Sequence, residues 1–325
     1  MYGIKNYKNA FNIKEDKIIG RVIEKTNYIY TVANQNNVLK KAKTVTNVSS
    51  TEVFVGDFVE YILFEDYNLI TKVLPRINAI SKKTSYAAKS FHEAENEKML
   101  AANVNQLFIL IAADQRFTLS KFERYVLTFH QEHLDMHVLI SKGDFEELAE
   151  EIKKKILSVY TDFKVTVFSN LYEESIIDVR NLFLKNKTSL LIGSSGVGKS
   201  TLVNNLIDDN KMLTNEVRID GKGKHTTTTT KMFYADTLES YIIDSPGFKT
   251  ISTTKDIDTS VLFEDIQNLS LDCKFNDCTH THEPKCAVLN AIENGEMTEE
   301  YYNRYKENLR IVKGQLRHEQ RKNVK

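Results

Sequence analysis

The residues most able to do chemistry lie between Gly193 and Thr201. Gly193-Ser194-Ser195-Gly196-Val197-Gly198-Lys199-Ser200 fills every position of the pattern G-x-x-x-x-G-K-[ST]. Glycines at these positions let backbone N–H groups turn inward around phosphate oxygens. The helix expected from Lys199 through Thr201 and beyond adds the partial positive charge of its N-terminus. Lys199 is placed to reach the β- and γ-phosphates of a nucleotide, and Ser200 to hold Mg²⁺. Downstream, Asp244-Ser245-Pro246-Gly247 closes a short apolar strand. Asp244 stands where a carboxylate contacts the same Mg²⁺, and the Gly247 N–H where it can approach a γ-phosphate.

Which base is bound depends on a carboxylate. Guanine presents N1–H and N2–H on one edge, and a single carboxylate accepts both, whereas adenine offers no such pair. The N-K-x-D element that supplies this carboxylate is missing after Gly247. Upstream, Ser141-Lys142-Gly143-Asp144 follows an apolar strand and matches the element with Ser in place of Asn. Asp144 is the expected guanine acceptor, and Lys142 lies along the base plane. Phe168-Ser169-Asn170 closes the next strand, where a backbone N–H, that of Ser169, reaches the base carbonyl. The order is base loop, phosphate loop, metal carboxylate, which makes this a circularly permuted nucleotide domain.

Gly221-Lys222-Gly223-Lys224-His225-Thr226-Thr227-Thr228 has the composition of a switch segment. Thr227 or Thr228 is expected on Mg²⁺, with Thr228 preferred. Gly247 is followed by Phe248, which cannot orient an attacking water. His225 is the nearest candidate for that work. Two rival readings remain at this level: an ATP-using P-loop enzyme such as a small-molecule kinase, and an RNA-binding module that is gated by nucleotide without turnover.

A second chemistry lies in Cys273-x4-Cys278-x-His280-x5-Cys286. Three thiolates and an imidazole suit one tetrahedral Zn²⁺, with His282 as a rival to His280. All three cysteines of the chain fall in this stretch, which argues for metal rather than disulfides. The segment holds too few apolar residues for a core of its own, so the metal is expected to be structural.

These residues need a scaffold. Leu107–Ile111, His137–Ile140, Lys164–Phe168, Ser189–Ile192 and Tyr241–Ile243 read as buried strands alternating with helices at 145–157 and 174–184, a doubly wound sheet. Ser120 is the expected cap of a helix carrying Phe122, Tyr125 and Val126. Before this, 17–23, 27–32, 57–63 and 68–74 read as the strands of a small β-barrel, an OB-fold first and an SH3-like barrel second. Residues 80–100 read as a linker. The expected division is an OB-type barrel over 1–80, a permuted G domain over 81–268 and a mostly helical zinc domain over 269–325. Residues 301–325 carry eight Lys/Arg against two Glu, a basic helix suited to RNA phosphate.

The 325 residues have a formal net charge of zero, so only local patches can serve nucleic acid. No apolar run is long enough for a membrane span, and the N-terminus lacks an apolar signal core. A cytoplasmic monomer without membrane contact is expected.

Taken together, Gly193–Thr201, Asp244–Phe248, Gly221–Thr228, the Cys273/Cys278/His280/Cys286 set and Ala101-Ala102-Asn103-Val104-Asn105-Gln106 resemble the RsgA (YjeQ-type) family of bacterial ribosome-associated GTPases over essentially the whole chain. The resemblance implies a barrel, a permuted G domain and a zinc domain. It also implies GTP hydrolysis stimulated by the small ribosomal subunit during its late maturation, and assistance from the histidine at position 225. Ser141 stands where that family usually has Asn, and Asn170 where it usually has Ala.

Overall fold

The computed structural model describes residues 2–14, 16–46, 48, 52–83, 97–130, 134–207, 230–246 and 259–308. Contacts divide the chain into two compact units: residues 1–81, 98–116 and 131–249 form one, and 82–97, 117–130 and 250–325 the other.

The first unit is built on an eleven-stranded sheet. Five strands close a barrel: β1 (Ile19–Thr26), β2 (Ile29–Ala33), β3 (Leu39–Thr44), β4 (Phe58–Leu63) and β5 (Asn68–Val73). The pairings run β1-β2-β3-β5-β4 and return to β1, with only β3 and β5 parallel. Alternation supplies its core, where Val22, Tyr30, Val32, Ala42, Val59, Tyr61 and Ile70 point inward. A short helix, α1 (Ile4–Ala10), stacks Tyr7 on Phe58 at the barrel's side. The closed OB-like barrel agrees with the sequence reading. That reading omits β3, whose three lysines leave one fully buried residue, Ala42.

The remaining strands form the nucleotide sheet: β8 (Gln106–Ala112), β9 (Asp135–Ser141), β10 (Lys164–Val167), β11 (Thr188–Gly193), β12 (Lys231–Ala235) and β13 (Ser240–Asp244). The order is β10-β9-β8-β11-β13-β12, parallel except for β12. Helices α3 (Glu146–Leu157), α4 (Glu173–Arg180) and α5 (Lys199–Leu206) belong to this half. Phe108, Leu110, Leu139, Phe168, Leu191, Leu202 and Ile242 are buried in its core. Burial on both faces explains why the inner strands β8, β9, β11 and β13 are apolar without alternation.

Barrel and nucleotide sheet are joined edge to edge. β1 pairs antiparallel with β12 through Glu24 and Lys231. One rung runs Asp244, Lys231, Glu24, Thr31, Lys41 across five strands. Beside the seam, Arg21 is fully buried. It donates to the carbonyls of Gly56, Tyr2 and Asn103 and to Thr188 Oγ1, and lies against the rings of Phe58 and Tyr241. Gly56, at φ +98°, lets the chain pass there, because a Cβ would stand 2.1 Å from the Ala102 carbonyl oxygen.

The linker expected over 80–100 begins and ends in strands, β6 (Ala79–Lys83) and β7 (Glu97–Ala102), which pair with each other. Residues 84–96 lie outside the described set.

The second unit is helical: α2 (Leu119–Phe129), α6 (Ser260–Ser270), α7 (Ala287–Glu293) and α8 (299–308). Its core gathers Leu127, Phe263, Ile266, Val288, Ala291, Met297, Tyr302 and Tyr305. One expectation is corrected here. The cap of α2 is Thr118, whose hydroxyl accepts from the Lys121 N–H, while Ser120 lies within the helix and donates to Glu307. α2 packs with the C-terminal helices. Glu123, completely buried, accepts from Arg304 Nε at 2.8 Å and Asn308 Nδ2 at 2.9 Å.

Candidate functional site

β11 delivers the phosphate loop. All six of its residues are buried between β8 and β13, so Gly193 leaves the sheet from a fixed point. A Cβ at Gly193 would lie 2.6 Å from the Leu110 carbonyl oxygen, which restricts this exit to glycine. Gly198, at φ +87°, caps α5. Lys199 begins the helix and folds back over the loop, its Nζ donating to the carbonyls of Gly193 and Ser194 at 3.1 Å each. Burial lowers its pKa, while the charge of Asp244 acts the other way. Ser194, Ser195 and Gly196 line the open side of the loop, Val197 anchors it in the core, and Thr201 is exposed on the first turn.

The Ser200 hydroxyl lies 2.7 Å from Asp244 Oδ2. A hydroxyl and a carboxylate meeting beside a phosphate loop are hard oxygen donors, the set that suits Mg²⁺. Asp244 ends β13, and the neighbouring Ser245 is tied to the Leu191 carbonyl at 2.7 Å, which fixes the strand's end against β11.

The base loop follows β9. Ser141 is fully buried, and its hydroxyl donates to the Val197 carbonyl at 2.7 Å. The Ser141 side chain therefore ties base loop to phosphate loop. Lys142 adopts φ +58° and its ammonium lies 2.5 Å from Asp114 Oδ2. Gly143 passes close to the next strand's end and donates to the Phe168 carbonyl at 2.8 Å. Asp144 is exposed, with one carboxylate oxygen accepting from Ser169 Oγ at 2.8 Å. Asn170 turns its amide toward the Gly198 carbonyl and is held by Asn205. Gln115 Nε2 donates to the Ser195 carbonyl at 3.2 Å.

The structure thus brings together Ser141, Lys142, Asp144, Ser169, Gly193–Thr201 and Asp244. His225, Thr227, Thr228 and Gly247 lie outside the described residues. Asp114, Gln115 and Asn205 were not singled out from sequence. The only sequence signal for Asp114 is its position as the first charged residue past an apolar strand.

In the second unit, the ligand atoms of Cys273, Cys278, His280 and Cys286 all lie within 4.8 Å of one another. Cys273 and Cys286 sulfurs are 3.8 Å apart, and His280 Nδ1 is 3.6 and 3.3 Å from them. A tetrahedral Zn²⁺ with bonds of roughly 2.3 Å to S and 2.0–2.1 Å to N has edges of about 3.8 Å (S–S) and about 3.5 Å (S–N). The cluster is compatible with structural zinc. His280 is buried at φ +55°, with its carbonyl accepting from the Tyr302 hydroxyl. His282 is exposed, its Nδ1 paired with the Thr281 hydroxyl.

A family model described as RsgA GTPase matches residues 73–254. The chain belongs to the RsgA GTPase family. Small ribosomal subunit biogenesis GTPase RsgA 1 of Oceanobacillus iheyensis is 34% identical over 298 residues, covering 89% of this chain and 83% of that protein. A protein called small ribosomal subunit biogenesis GTPase RsgA in Phocaeicola vulgatus is 30% identical over 88% of this chain and 94% of its own length. Among solved structures, YjeQ from Thermotoga maritima superposes with a TM-score of 0.61 at 25% identity, over 90% of this chain and 96% of that one. YloQ, described as a circularly permuted GTPase, gives a TM-score of 0.60 at 21% identity over 92% and 96% of the two chains. As an RsgA GTPase the chain is a GTP-hydrolysing enzyme, and its permuted sheet is the one the order of motifs requires. No helix among the described residues is long and apolar enough to cross a membrane.

Proposed function

We propose that this GTPase acts in the late maturation of the small ribosomal subunit, with its own slow turnover accelerated when it docks there. The observation that carries the catalytic part is the bond from Ser141 to Val197, which sets the guanine loop and the phosphate loop at one distance. The assembly role is supported by the names of the relatives, which call them small ribosomal subunit biogenesis GTPases.

In this reading Asp144 accepts from guanine N1–H and N2–H, the Ser169 backbone faces the base carbonyl, and Lys142 lies along the ring. Gly193–Thr201 wraps the phosphates, with Lys199 moving its ammonium from the loop carbonyls to the β- and γ-phosphates. Ser200 and Asp244 would hold Mg²⁺, with Thr228 as a further ligand, and the ion would supply neutralisation of the phosphate charge. The Gly247 N–H faces the γ-phosphate and His225 positions the water. Water attacks the γ-phosphorus, the bond to the β-phosphate oxygen breaks, and GDP and inorganic phosphate leave. Cys273, Cys278, His280 and Cys286 hold one structural Zn²⁺. The functional division is barrel 1–80, G domain 81–268 and zinc domain 269–325, with the barrel and the basic tail gripping rRNA. We place the protein in the cytoplasm as a monomer.

The test is hydrolysis of GTP and ATP by the purified protein, with and without small ribosomal subunits. The reading expects slow, GTP-selective turnover that rises sharply with subunits, and no nucleotide binding by Lys199→Ala. Equal use of ATP, or indifference to the subunits, would overturn it.

A further inference from the structure

Ala113, Asp114 and Gln115 belong to none of the nucleotide motifs, yet they touch both halves of the site. The turn after β8 is fixed by its backbone: Ala113 N–H donates to the Ser141 carbonyl at 3.0 Å, and Gln115 N–H to the Ala112 carbonyl at 3.1 Å. From this turn Asp114 holds the Lys142 ammonium at 2.5 Å, and Gln115 holds the Ser195 carbonyl. Consecutive residues therefore grip the base loop and the phosphate loop.

We infer that Asp114 is a positioning residue for guanine-nucleotide binding, holding the Lys142 ammonium so that the lysine stem lies across the face of the base while Asp144 reads its edge. This rests on the base site proposed at Ser141–Asp144. The physical reason is preorganisation. A lysine stem has four rotatable carbons, and a stem already fixed at both ends loses less freedom when the ligand arrives. The Lys142 backbone, at φ +58°, fixes one end, and Asp114 fixes the other. Both charged groups are one-third exposed, so solvent and salt moderate the pair.

The two aspartates then have separable signatures. The edge contact depends on which base is present, because Asn at 144 offers an amide donor to the extra carbonyl of xanthine. The face contact is the same for every purine. Asp114→Asn is expected to weaken GTP and ITP by the same factor, about two- to five-fold. It raises KM with kcat unchanged, since the lost contact is equal in ground and transition states. Asp114→Glu keeps the charge and recovers most of the affinity. In a Lys142→Gln background Asp114→Asn adds nothing.

Fluorescent-nucleotide titrations and steady-state hydrolysis with GTP, ITP and XTP, on the full chain, decide the matter. If Asp144→Asn shifts preference toward XTP while Asp114→Asn binds GTP as the wild type does, the role of Asp114 is refuted and the base site stands. If Asp144→Asn produces no shift, the base site lies elsewhere and the inference falls with it. An Asp114→Asn effect that persists undiminished in the Lys142→Gln background would also overturn it, because the aspartate would not then be acting through the lysine.

Discussion

Replacing Ser141 with Ala removes one oxygen and tests whether the substitute for the usual Asn matters. The hydroxyl is fully buried, 2.7 Å from the Val197 carbonyl and 3.3 Å from that of Ile111. It has one proton, and the shorter contact takes it. Alanine leaves the Val197 carbonyl without this donor, on a residue only 1% exposed. Removing one partner of a buried hydrogen bond costs about 1–3 kcal/mol. Without nucleotide, the variant's loop is free to turn that carbonyl toward water, so binding must restore the buried arrangement. The cost then appears as lost affinity, and its midpoint, about 2 kcal/mol, is about thirty-fold in Kd. Because the bond shapes the phosphate loop rather than the base contact, GTP and GDP should weaken together. Titration with fluorescent GDP and competition by GTP give both constants. Affinities within about two-fold of wild type, with an unchanged melting profile, would refute the reasoning.

Four further outcomes can be checked. Glu123→Ala leaves the Arg304 guanidinium, 10% exposed, beside an emptied site, and breaking such a buried pair costs about 3–5 kcal/mol. Hydrogen exchange should quicken in α8 and α2, and unchanged protection would contradict the role given to the pair. Cys273→Ser, or chelation, should release zinc measurable by metal analysis and unfold 273–286 while GDP still binds; retained zinc would remove Cys273 from the ligand set. Lys199→Ala should bind neither GTP nor GDP, and Asp114→Asn should raise KM alone.

The phosphate loop was legible because its chemistry demands fixed residue types at fixed spacing, and the four-ligand cluster for the same reason. Ser141–Asp144 was legible only once a P-loop stood downstream, since the tetrapeptide alone is an ordinary loop. What stayed hidden depended on partners. α2 has an apolar face in Phe122, Tyr125 and Val126, but a face does not say which surface it meets, and burial of Glu123 with Arg304 depends on residues 181 positions away. Thr118 and Ser120 are both good caps by type, and only the backbone of Thr118, extended at φ −142° and ψ 145°, settles which one serves. β3 carries three lysines in six residues, so it lacks the apolar density that betrays a strand. Asp114 is a single carboxylate whose meaning lies in the lysine it faces.

The seam between β1 and β12 bears on how deletion experiments should be interpreted. β12 is the last strand of the nucleotide sheet, and β1 covers its outer edge. A truncation that removes the barrel strips away that cover and also takes Arg21 from Thr188 and Asn103. The remaining chain would present unpaired backbone groups to its neighbours, a template for aggregation. Loss of function in such a fragment would therefore report a damaged GTPase core as readily as a missing RNA contact. Point changes on the exposed face of the barrel, at Lys43 for example, separate the two causes where truncation merges them.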